Sequence, residues 1–99
     1  MSTAQAPGDW QREMETLRER IQQIDDRLVG LLVQRVALAR EVGAAKRRAG
    51  LPALDPRREA AVVRHAGERA RAAGIHDEDV RYIFWHVIGL CRRAQLEEM

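Results

Sequence analysis

Residues 9–49 read DWQREMETLRERIQQIDDRLVGLLVQRVALAREVGAAKRRA, and this stretch decides the fold. Trp10, Leu17, Ile24, Leu31 and Leu38 recur at seven-residue steps, and Met14, Ile21, Leu28 and Val42 form a second seam offset by four. Apolar residues at that spacing line one side of an α-helix, so the pattern predicts a single helix of about forty residues. Gly30 and Gly43 weaken it by about 1 kcal/mol each relative to alanine. The helix is expected to end near Arg47–Ala49, because Gly50 is a natural terminator and Pro52 follows.

Beyond a short loop over 50–54, Asp55-Pro56 reads as a helix start, with Asp as N-cap and Pro at the first helical position. The second helix runs through Ala60, Val62, Val63 and Ala66 and stops at Gly74. His76-Asp77-Glu78-Asp79 opens a third, its acids on the positive end of the helix dipole. The apolar stripe there is Val80, Ile83, Phe84, Val87, Ile88 and Cys91. Residues 1–8 read as a disordered lead ending in Pro7-Gly8, and 9–99 as one helical domain. The predicted class is all-α, with three helices and a very long first one.

Composition narrows the function. The 99 residues are 45% hydrophobic, 32% charged and 4% aromatic, with three scattered prolines, which disfavours a β-sandwich or barrel. One cysteine excludes an intramolecular disulfide and a multi-cysteine zinc site. The three histidines have no ligand spacing, so no metal is expected. No apolar run approaches the roughly 18 residues of a membrane span. The first ten residues carry no Lys, Arg or apolar block, so no secretory signal and a cytoplasmic location are expected. The net charge is +2, and the arginine pairs at 47–48 and 92–93 are interleaved with 15 acids, so nucleic acid is not an expected partner. One length sets the assembly. Forty helical residues span about 60 Å, whereas a compact chain of this size is about 35 Å across. The overhanging seams predict a symmetric homodimer; a break at Gly30 giving a monomeric bundle is the alternative.

The chemistry lies in polar residues on apolar seams. Arg35 interrupts the second seam, where an unpaired guanidinium costs several kcal/mol. It is either a structural ion-pair residue or an anion-binding group inside the bundle. Lys46, the one lysine beside sixteen arginines, follows eleven residues later, about 20° off three full turns and about 16 Å along, hence on the same face. Arg18 lies about 25 Å before Arg35 and about 100° around the helix, where it is a surface charge or serves a pocket in a partner chain. Gln95 continues the stripe of the third helix, as a core amide or a ligand donor. Cys91 alone reads as a small buried residue. Arg57-Arg58-Glu59 lies in the first turn of the second helix, as an anion site or a solvated charge cluster.

Taken together, Leu17-Arg18-Glu19-Arg20-Ile21, Ile24-Asp25, Leu31-Leu32-x-x-Arg35, Val42-Gly43-x-x-Lys46, Asp55-x-x-Arg58-Glu59 and Gln95 resemble the all-α chorismate mutases over about residues 10–97. The resemblance implies an intertwined dimer of three-helix chains with two active sites. It also implies the Claisen rearrangement of chorismate, a small dianion, to prephenate, without cofactor or metal. By the same resemblance Arg35, and Arg18 from the opposite chain, hold the substrate carboxylates. Lys46 and Gln95 donate to the ether oxygen. Asp55, through its backbone, and Glu59 hold the ring hydroxyl, and Arg58 supports the site. Cys91 stands where the family often has a small hydroxyl residue, which weakens one carboxylate contact. The rival functions are an isochorismate-pyruvate lyase or a 4-amino-4-deoxychorismate mutase on the same scaffold, a non-catalytic dimeric helical adaptor, and a nucleic-acid-binding bundle.

Overall fold

The computed structural model describes residues 8–97. Their regular structure is helical throughout: α1 Asp9–Ala49, α2 Pro56–Ala72 and α3 Asp77–Glu97. Gly30 does not interrupt α1, a 41-residue helix, so the expected long first helix is observed. Of the lead expected over 1–8, residues 1–7 lie outside the described residues, and the Gly8 carbonyl accepts the Arg12 amide at 3.1 Å.

The chain divides into two compact units, Met1–Val33 and Gln34–Met99. In the first, the described residues belong to the start of α1 and its lead-in turn. Asp9 in the opening turn pairs with Arg12 at 2.8 Å. Both apolar seams of this unit face solvent, from Trp10, 57% exposed, to Leu31, 59% exposed.

The second unit holds the rest of α1, α2 and α3, and its elements stop and start where the backbone chemistry dictates. Gly50, at φ 69°, closes α1: its amide reaches the Arg47 carbonyl at 3.2 Å, and the Leu51 amide reaches that of Lys46 at 2.9 Å. This paired closure satisfies two orphan carbonyls and needs a left-handed residue at its centre. Gly74, at φ 80°, closes the segment after α2 in the same way, with Gly74 N–H to Arg71 O at 3.1 Å and Ile75 N–H to Ala70 O at 2.9 Å. Arg71 then pairs with Asp77 at 2.6 Å, tying the end of α2 to the start of α3. That bond holds the Asp77 carboxyl below its ordinary range and raises the Arg71 guanidinium.

The core of this unit is built from small residues. Ala39 and Gly43 of α1 are buried with Val63, Ala66, Gly67 and Ala70 of α2 and Ile88, Cys91 and Ala94 of α3. The α2 set has the i, i+3, i+4, i+7 spacing of a single helix face. Of the expected stripe residues Val62, Val80, Phe84 and Val87 are half-buried at the edge of the core, and two are exposed. Ala60 is exposed, and Ile83, about 140° around α3 from Ile88, is 55% exposed. Small residues let helix backbones approach, and Gly43 shows it: a Cβ there would lie 3.3 Å from Gln95 Cβ.

The two glycines of α1 therefore predict opposite outcomes. Gly30 has nothing within 4 Å of an added Cβ, so Gly30→Ala is expected to gain about 1 kcal/mol from helix propensity. At Gly43 the same gain is offset by crowding of about 1–3 kcal/mol, so Gly43→Ala is expected to be neutral or destabilising. Urea unfolding of both variants checks this, and equal gains would contradict it.

Candidate active site

The three helices of the second unit converge on a cavity of about 230 Å³. From α1, Arg35 and Lys46 both line it, as their shared helix face requires. Asp55, Arg58 and Glu59 enter from the start of α2, and Cys91 and Gln95 from α3. Leu38, Val42, Val62 and Ile88 supply apolar wall. Seven of the eight residues picked from sequence thus surround one space. Arg18 belongs to the first unit, where it lines a shallow depression with Trp10, Met14 and Glu15.

What matters chemically is how each charge is partnered. The Arg35 guanidinium donates to Cys91 Sγ at 2.9 Å, and the Lys46 ammonium donates to the Ala53 carbonyl at 3.0 Å. Both partners are neutral, so they orient the cations without cancelling them. Among the described residues Arg35, Lys46 and Arg58 enter no ion pair. The two carboxylates are engaged elsewhere. Asp55 accepts the Arg58 backbone N–H on one oxygen at 3.1 Å and caps α2. Glu59 is gripped through both oxygens by Arg92 of α3, Nε to Oε2 at 3.1 Å and Nη2 to Oε1 closer still. This pairing raises the Arg92 guanidinium, by the hydrogen bond first and the charge second. The Gln95 amide lines the cavity half-buried, with no hydrogen-bond partner within the described residues.

The cavity therefore offers cations of two geometries, the planar fork of Arg35 and the point charge of Lys46, beside an uncommitted amide. It suits a small anion.

Comparison with known proteins agrees with this chemistry. A family model described as chorismate mutase type II matches residues 17–96. The chain belongs to that family. It is also 36% identical over 83 residues to a 3-dehydroquinate dehydratase of Pyrobaculum aerophilum, covering 84% of this chain and 24% of that protein. It is 40% identical over 63 residues to a T-protein of Enterobacter agglomerans, covering 64% of this chain and 17% of that protein. The chain thus spans between a sixth and a quarter of the length of these relatives.

Two residues of consequence escape a reading of the sequence. Gly43, read there as a weak point in the helix and as part of the Val42-Gly43-x-x-Lys46 motif, is where α1 comes up against Gln95. Arg92 had a signal: it continues the Phe84–Ile88 row of α3 by the next step of four, so it faces its neighbours as Gln95 does.

Asp55 separates a structural from a chemical role. Asn caps helices as well as Asp does, whereas alanine costs about 1 kcal/mol. Asp55→Asn is expected to keep stability within a few tenths of a kcal/mol, and Asp55→Ala to lose about 1 kcal/mol, both read by urea unfolding. Equal loss in the two variants would show that the carboxylate charge, not the cap, holds this turn.

Proposed function

We propose that this chain is a cytoplasmic chorismate mutase that converts chorismate to prephenate. The carrying observation is that Arg35 and Lys46 face one small cavity with neutral partners only, in a chain of this family. In the rearrangement the ether C–O bond of the enolpyruvyl group breaks while its terminal methylene forms a C–C bond to the ring carbon bearing the carboxylate. All electrons stay within the substrate, and no proton moves. The protein needs no nucleophile or base. It must hold a flexible dianion in a compact geometry and meet the negative charge that grows on the ether oxygen with donors already in place. Arg35 binds a carboxylate, Lys46 and Gln95 donate to the ether oxygen, and Glu59 with the Asp55 backbone receives the ring hydroxyl. Arg58 supports that end of the site, and Cys91 supplies the surface beside Arg35.

The functional unit in this proposal is a homodimer. The apolar seams of the first unit, bare from Trp10 to Leu31, are what a second copy would cover. Arg18 follows Leu17 of that seam directly, and it would bind the second carboxylate in the partner's cavity. The adaptor alternative leaves the uncommitted cations unexplained. The lyase and the amino-substrate mutase differ from this reading only in the product formed, so the deciding experiment incubates the protein separately with chorismate, isochorismate and 4-amino-4-deoxychorismate. Prephenate from the first is the expected result. No product from any of the three would overturn the mutase proposal.

Shared sites have a signature. Arg18→Ala and Arg35→Ala are each expected to be nearly inactive. After subunit exchange, the mixed dimer carries one intact and one doubly damaged site, so part of the activity is expected to return. Verified exchange without recovery would place Arg18 outside the site.

The donors to the ether oxygen can be tested by charge and by pH. One preset donor contributes about 10²–10³ in rate, and a charged one more, so Lys46→Ala is expected to lower kcat by at least that factor. Lys46→Arg is expected to restore little, because the fork is wider and aimed differently. Gln95→Glu replaces a permanent donor with a group that donates only when protonated. Its activity is expected to rise as pH falls through about 8 to 5 toward the carboxyl range, while the wild type changes far less. A flat, fully active Gln95→Glu profile would return Gln95 to a packing role.

A further inference from the structure

Arg92 does not line the cavity, yet its guanidinium takes both oxygens of Glu59, which does. The pair joins α3 to α2 across 33 positions of sequence, and it is largely sheltered on the Glu59 side, with side-chain exposures of 18% for Glu59 and 41% for Arg92. A fork-to-fork pair of this kind fixes the carboxylate in plane and in rotation. It also changes what Glu59 is to a ligand. Each carboxylate oxygen has two lone-pair sites, so Glu59 can still accept a hydrogen bond from a neutral hydroxyl. Its negative charge, however, is already answered. A ligand carrying an ammonium at the same point would meet a neutral pair, with the Arg92 cation behind it, Arg35, Lys46 and Arg58 around the cavity, and an Asp55 carboxylate already bonded through one oxygen to the helix N-terminus it caps.

We propose that Arg92 is a positioning residue that sets substrate choice. By neutralising Glu59 it admits the hydroxyl of chorismate and disfavours a substrate with a protonated amine in that place, such as 4-amino-4-deoxychorismate. The inference rests on the mutase reading of the cavity and on Glu59 meeting that ring substituent. A charge-answered carboxylate is a device of specificity by mismatch: it gives up attraction for the wrong ligand while keeping the hydrogen bond to the right one.

The test measures kcat/KM at neutral pH on chorismate and on 4-amino-4-deoxychorismate, for the wild type, Arg92→Met and Arg92→Lys. The wild type is expected to favour chorismate. In Arg92→Met the Glu59 charge is exposed to the ligand, and the preference is expected to narrow by roughly ten- to a hundredfold, chiefly through a lower KM for the amino substrate. Arg92→Lys, which restores the cation, is expected to return most of the preference. Arg92→Gln keeps a donor but no charge and carries the same test if the Met variant folds poorly by circular dichroism. A folded neutral variant whose ratio is unchanged, or which loses both substrates equally, overturns the inference and leaves the mutase reading standing. A wild type that converts neither substrate overturns both.

Discussion

A guanidinium set on an apolar helix seam must have its charge answered, or several kcal/mol of desolvation go uncompensated. In this chain the answer for Arg35 is a thiol, and for Lys46 a loop carbonyl. Neutral acceptors give direction and recover part of the lost hydration, but they leave the Coulomb field of the cation intact. Had a carboxylate stood where Cys91 stands, the pair would be more stable and the cavity inert toward anions. The rest of the second unit follows from keeping its two carboxylates off these cations. Asp55 is engaged with the helix terminus it caps, and Glu59 with an arginine from outside the cavity.

That separation depends on helices close enough for side chains from all three to reach one space. The buried set is mostly alanine and glycine, which leaves length to the polar residues. At Gly43 the approach is tight enough that one added carbon would press on Gln95, so the glycine and the amide form one device. The glycine lets α1 in, and α1 holds the amide at the cavity wall. A leucine core would have spaced the helices further apart and moved Lys46 and Gln95 out of common reach of a small ligand.

The sequence disclosed the parts of this arrangement that repeat or that break a repeat. Seven-residue periodicity gave α1 to its last residue, since Gly50 can adopt the left-handed closure that ends it. Arg35 and Gln95 were legible because a polar residue on an apolar stripe has to be explained, and Lys46 because the one lysine shares the helix face of Arg35. For Arg92 the sequence carried its place on the Phe84–Ile88 row but not its partner: its meaning comes from Glu59, 33 positions away, and no local pattern encodes a pairing between helices. The packing role of Gly43 was hidden for the same reason. Helix propensity is a property of one helix, while the value of a missing Cβ lies in the neighbour it admits. Ile83 was assigned to the core because it is apolar, and at 100° per residue it falls on the flank of α3 instead.

The small core has a further consequence. Burying a methyl group contributes about 0.8 kcal/mol, against about 1–2 kcal/mol of backbone entropy for each residue ordered. Among the described residues Val63 and Ile88 are the large aliphatic side chains that are buried, and no large side chain is fully buried. Meanwhile Trp10, Leu17, Ile21, Ile24, Leu28 and Leu31 in the first unit, and Leu38 and Val42 in the second, remain exposed. The apolar area that would balance the entropy therefore lies on the seams of α1. In the proposed dimer one copy's seam covers the other's, since a two-fold interface is self-complementary. Arg18 stands one position from that seam, so the contact that completes the core is also the one that would deliver the second carboxylate-binding cation. Stability and activity would then share one association equilibrium, and a chain with a sufficient core of its own would have no need of that coupling.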